Sequence, residues 1–152
     1  MRHRLGGVLP ISVLVWAGVC LGGNLIAAPA KFTVPALDLG LALQVGRAQF
    51  HWLGYAEVAL AALALFAAFV VRRDLCALLS LAVAVFALQR LGLMPLLAAR
   101  TDAILAGAPR SAGSYHLLFV GLELLKTSLL LVVGYLGMTH SNRPLPLPKG
   151  LS

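Results

Sequence analysis

Seven polar side chains stand inside otherwise apolar runs of this 152-residue chain: Asn24, Glu57, Gln89, Arg90, His116, Glu123 and Lys126. These residue types do ion-pair, proton and ligand chemistry. Carboxylates accept hydrogen bonds, guanidinium and ammonium groups donate them, amides do both, and imidazole titrates near neutrality. An ionisable group in a membrane-length apolar segment is costly, so it marks a candidate functional site. His116, Glu123 and Lys126 are seven and three residues apart and share one helical stripe. Glu123 and Lys126 are therefore expected to pair within one helix, and Arg90 is expected to meet Glu57. Arg47 and His51 are secondary candidates. They share a stripe with Gln44 that is offset from Glu57.

Two acids against two bases make a charge-balanced layer. Such a layer can serve as a structural network that sets helix register, because an unpaired charge in lipid is expensive. The same residues can bind a small ligand, an ion or a proton, and midplane Glu123 beside Lys126 is the natural proton site. Proton-coupled transport is one alternative function, although span one carries no acid of the kind small four-helix exporters use. Haem or metal ligation by His51 and His116, as in a redox carrier, is another; no His-x-x-His motif supports it. No cofactor is predicted, no catalytic residue is assigned, and the reading leans away from an enzyme.

The elements that position these residues are four apolar runs, residues 8–28, 52–71, 75–97 and 115–138. Each can cross a hydrocarbon core of roughly 30 Å at about 1.5 Å per residue. The chain is 61% hydrophobic and 11% charged, against about 25% charged in soluble domains. Nothing outside the runs reaches the roughly 50 residues of a small soluble domain. The expected fold is an all-α, integral membrane bundle of four transmembrane helices in a single domain, residues 1–138. A Pro-rich, disordered tail is expected over residues 139–152.

Loop one holds Thr33-Val34-Pro35 and then Asp38, which reads as a helix start. No proline follows until Pro95, so the second helix is expected to begin near Pro35 and extend beyond the membrane, with Gly46 or Gly54 as bend points. Helix one is expected to end before Pro29, with Gly18-x-x-x-Gly22 as a close-packing face. Arg2-His3-Arg4 and Ala28-Pro29-Ala30 resemble a signal peptide and its cleavage site, but the long apolar run favours a retained first helix. Arg72-Arg73-Asp74 makes a tight turn. Ser111 or Ser114 is the expected cap of helix four.

The net charge of +7 lies on termini and loops, which suits membrane topology rather than nucleic acid. One side holds six basic residues (Arg2, Arg4, Arg72, Arg73, Arg143, Lys149) and the other four (Lys31, Arg47, Arg100, Arg110). This bias predicts cytoplasmic termini. The polar layer then lies in the outer half, with Asn24 and Glu57 about 6 Å and Glu123 about 12 Å deep. Cys20 and Cys76 are expected near opposite faces, too far apart for a disulfide. The lipid bilayer is the first partner, with another membrane protein or a second copy as further ones.

Several short motifs carry a resemblance: Gly22-Gly23-Asn24 with the exit Ala28-Pro29-Ala30-Lys31-Phe32; Val45-Gly46-Arg47-Ala48-Gln49-Phe50; Leu88-Gln89-Arg90 leading to Pro95 and Arg100-Thr101-Asp102; and His116 followed by Glu123 and Lys126. Over residues 8–138 the chain resembles a family of bacterial inner-membrane proteins with four transmembrane helices and no assigned activity. The resemblance implies a retained first helix, a four-helix fold and a multi-pass place in the bacterial inner membrane.

Overall fold

The computed structural model describes residues 7–109 and 114–141, all helical or in connecting turns. Four helices are long and apolar enough to cross a membrane: α1 (Val8–Thr33), α2 (Leu39–Val71), α3 (Arg73–Leu105) and α4, described over Ser114–Ser141. The Pro-rich tail from residue 142 and the proposed cap Ser111 lie outside the described residues. Helix α4 continues past Met138 through Ser141, further than expected.

Helix α1 does not end before Pro29. A widened π-type segment, Cys20–Ala27, leads into helical Ala28–Ala30 and a final 3-10 turn, Lys31–Thr33. Helix α3 repeats the device, with Leu88–Leu93 in π geometry just before Met94 and Pro95. The cause is local. A proline within a helix has no N–H and its ring strikes the carbonyl four residues back. In both helices the residue before the proline bonds five residues back, Ala28 N–H to Gly23 O and Met94 N–H to Gln89 O. The wider turn makes room for the ring and lets the helix continue. It also changes the phase of the residues within it, and those residues include Asn24, Gln89 and Arg90. Pro95→Ala should let the 88–93 turn tighten to α geometry. Hydrogen-exchange mass spectrometry should then show slower exchange across these amides.

Helix α2 starts at Leu39, not near Pro35, because Asp38 caps it: its Oδ1 accepts the Leu41 N–H at 2.8 Å. The helix then runs unbroken through Gly46 and Gly54. Those glycines leave room for neighbours instead. A Cβ on Gly54 would lie 2.7 Å from Arg90 Cζ, and one on Gly46 would meet the Lys31 side chain. At the other end, Arg72 grips Asp74 through Nε and Nη2 at 2.8 and 2.7 Å, which closes the α2–α3 turn and pushes the guanidinium's pKa further up. Helix α3 stops at Gly107, whose φ of +96° suits glycine. Ala108 N–H bonds to Ala103 O and Gly107 N–H to Ile104 O across this stop.

The helices form a closed ring in which α1 packs between α2 and α4, and α3 packs between α4 and α2. Each presents a stripe at three- and four-residue spacing: Leu9, Val13, Trp16, Cys20 and Asn24 on α1, and Gly54, Glu57, Ala61, Ala64 and Ala68 on α2. On α3 the stripe is Leu75, Leu79, Ala82, Phe86 and Gln89. On α4 it is Glu123, Lys126, Leu130 and Val133. The polar residues therefore continue the core stripes rather than branching from them. The core at the Arg72 end of the bundle is apolar; Ser12 Oγ donates to Leu9 O at 3.0 Å, and Arg72 Nη1 reaches Leu136 O of α4 at 3.4 Å. Gly18 and Gly22 do not pack within the chain. They are exposed, with nothing within 4 Å of an added Cβ. Gly134 and Gly137 instead face Leu14 and Pro10 of α1.

Candidate functional site: a buried polar network under a basic cavity

Five of the seven primary candidates meet in one buried network: Asn24, Glu57, Gln89, Glu123 and Lys126. Lys126 is its hub. Its Nζ lies 2.5 Å from Glu57 Oε2 on α2 and 3.1 Å from Glu123 Oε2 on its own helix. Asn24 donates one amide hydrogen to Glu57 Oε1 at 3.2 Å and the other to Glu123 Oε1 at 2.9 Å. Gln89 donates to Glu123 Oε2 at 2.9 Å and to Phe119 O at 3.2 Å. All four helices thus close on two carboxylates and one ammonium.

Two members escaped the sequence reading. Trp16 Nε1 donates to Glu57 Oε2 at 2.9 Å, and Cys20 Sγ lies 3.5 Å from the same oxygen. A tryptophan and a cysteine in an apolar run read as packing residues. The available signal was spacing, since Trp16, Cys20 and Asn24 fall four apart on one face. Cys20 and Cys76 are both free.

The expected Arg90–Glu57 pair is replaced by Lys126–Glu57; among the described residues no ion pair joins Arg90 to Glu57. Lys126 wins because it projects from the facing α4 stripe at the level of Glu57. Arg90 lies on the shoulder of the α3 stripe, one residue past Gln89. Its guanidinium rests over Gly54, and Nη1 reaches Phe50 O at 3.5 Å.

Asn24 Oδ1 and Gln89 Oε1 are buried without a hydrogen-bond partner among the described residues. Rotating either amide by half a turn would aim its carbonyl at a carboxylate, so the acceptors around it fix its orientation. Both residues line a cavity of about 20 Å³, together with Glu57, Arg90, Glu123 and Lys126. That space is about the size of one water.

Cys20, Glu57 and Glu123 also bring ligand atoms within 4.8 Å of one another. The Lys126 ammonium already contacts both carboxylates, so this cluster has its cation in the form of a side chain. His51 and His116 are exposed and belong to no such three-ligand group among the described residues. His51 instead meets Tyr55 edge to face at 4.9 Å, beside Trp52.

A second cavity, of about 720 Å³, lies where α1 and α3 end and α2 and α4 begin. Arg47, His51, Arg90 and His116 all line it, together with Lys31 and Arg100. Asn24, Phe50, Arg90, Met94 and Phe119 line both spaces, so the small space over the network adjoins the larger one, and Asn24 is the network member that lines both. Near the rim, Arg47 pairs with Asp102, and Lys31 Nζ lies 3.5 Å from Gln49 Oε1. Gln49 in turn donates to Gly23 O at 2.6 Å, tying α2 to the π segment of α1.

No family model, no curated protein and no solved structure matches this chain.

Proposed function

We propose that this chain is a multi-pass protein of the bacterial inner membrane that binds a small ligand in the 720 Å³ cavity. Its polar network locks the bundle beside that cavity. The observation that carries this reading is the stacking of the two features. A network that only joined helices would need no cavity near it, yet here the small space over the network and the large cavity share five lining residues from all four helices, Asn24 of the network among them. Pockets of roughly 300–1,000 Å³ suit ligands of drug size. The exterior supports the membrane setting: Ile11, Trp52, Phe66, Leu91 and Leu117 are each more than 60% exposed, a surface that lipid would cover. The basic-residue bias supports cytoplasmic termini and an outward-facing cavity, and membership of the resembled bacterial family is part of the same proposal.

Met94 lines both spaces, so Met94→Trp should fill the passage between them. Native mass spectrometry of protein extracted in mild non-ionic detergent should show a small molecule retained by the original chain and lost from this variant. Identical spectra without bound mass would sink the reading. A C-terminal reporter active only in the periplasm would reverse the orientation.

Proton-coupled transport is the second reading, and one observation favours it. Two buried carboxylates touch a single ammonium beside a water-sized space. It predicts a pH-driven flux in proteoliposomes that is abolished by Glu123→Gln.

A further inference from the structure

The cavity has a sign as well as a size. Lys31, Arg47, His51, Arg90, Arg100 and His116 line it, drawn from all four helices, and no Asp or Glu is among its described lining residues. The two acids of the network lie beneath it and are engaged with Lys126, Asn24 and Gln89. Arg90 stands on the wall shared by the two spaces, with its guanidinium against Gly54 and Phe50 O. Between the basic groups the lining is apolar, with Phe50, Met94, Leu97, Phe119 and Val120 among it. Arg47 is paired with Asp102 at the rim, and Lys31 and Arg90 put positive charge on the wall; low-dielectric walls focus such a field on anions. Its apolar walls at the same time favour a hydrocarbon body over a bare ion.

We propose that the ligand of this cavity is an anionic amphiphile, a single acidic head on an apolar body, with the head on the Arg90 and Lys31 side chains. The inference rests on the cavity-binding reading above and names its ligand class. A bare anion would leave the apolar walls unmatched, and a neutral lipid would leave the basic ones unmatched. Guanidinium at Arg90 offers a planar fork for a carboxylate or phosphate. Lys31 brings an ammonium beside Phe50, the residue whose carbonyl Arg90 reaches. Its Nζ lies 5.4 Å from the Phe32 and Phe50 ring centroids and 3.5 Å from Gln49 Oε1, on the lining of the same space.

The test uses the full chain in neutral-lipid nanodiscs and three probes: a long-chain fatty acid, the alcohol of the same chain length, and inorganic phosphate. Native mass spectrometry gives the affinities. The fatty acid should bind about tenfold or more tightly than the alcohol, and phosphate alone should bind weakly. Arg90→Gln and Lys31→Gln should each lower fatty-acid affinity by about tenfold and leave alcohol binding unchanged. Lys31 lies near the rim, so its variant reports on binding even if Arg90→Gln perturbs the fold. Equal binding of acid and alcohol, both lost in Met94→Trp, would overturn the anionic ligand class and leave the cavity reading standing. Phosphate binding as tightly as the fatty acid would overturn the amphiphile in favour of a free-anion site. Binding of no probe by protein with native tryptophan fluorescence would overturn this class and count against the cavity reading as well.

Discussion

Lys126→Met should destabilise the folded bundle by about 3–5 kcal/mol, the range for breaking a buried ion pair from one side. The variant keeps most of the side-chain volume but removes the only ammonium that touches Glu57 and Glu123 among the described ion pairs. Two buried carboxylates are then left facing each other across Asn24, whose amide bridges them. The loss should appear as a lower midpoint in a denaturant titration in detergent micelles, followed by circular dichroism. Neutralising the acids as well, with Glu57→Gln and Glu123→Gln, should recover much of it, because removing a whole buried charge set is often close to neutral. No loss in the single variant would mean that the ammonium is not the counter-ion of these acids.

Trp16→Ala should cost a similar amount, about 3–5 kcal/mol, as expected for deleting a buried aromatic. Trp16 is completely buried and packs edge to face on Phe86 at 6.0 Å between centroids. Its indole N–H also carries one of the donors on Glu57. The two contributions separate by chemistry: Trp16→Phe keeps most of the ring packing and loses the donor. That change should cost about 1.5–3 kcal/mol, the range for a hydrogen bond to a charged group. Equal effects of Phe and Ala would mean that the ring does not pack as described. The same titration reads both variants.

The four-helix pattern was plain in the sequence because it depends only on the length and polarity of runs. The polar layer was legible for the same reason: Asn24, Glu57, Gln89, Glu123 and Lys126 each interrupt an apolar stretch, four of them in the half of the run toward loop one or loop three and Lys126 near the middle. Partner choice was legible within a helix, where Glu123 and Lys126 pair as expected, and not between helices. Matching Arg90 to Glu57 used charge alone, whereas the pair that forms depends on which side chain lies on the inward stripe at that level. One residue of phase decides this, and it puts Gln89 inward and Arg90 on the shoulder.

The π turns were also hidden. Pro29 and Pro95 were visible, but a proline can end a helix or widen it, and only packing on both sides of the break selects the second outcome. Trp16 and Cys20 were missed because their polar atoms are small parts of apolar side chains. The cavity could not be seen because Lys31, Arg47, Arg90, Arg100, His51 and His116 lie far apart in the chain. They come together only where four helix ends meet.

The most direct test of the account is a double-mutant cycle between Glu57 and Lys126, which are 69 residues apart and lie on opposite helices of the ring. Glu57→Gln, Lys126→Met and the pair of substitutions would be unfolded under one condition, and the coupling energy taken from the four stabilities. A buried contact pair should couple by about 1–3 kcal/mol, with the double variant less damaged than the sum of the singles. Additivity to within about 0.5 kcal/mol would contradict the account, because residues that do not touch add independently.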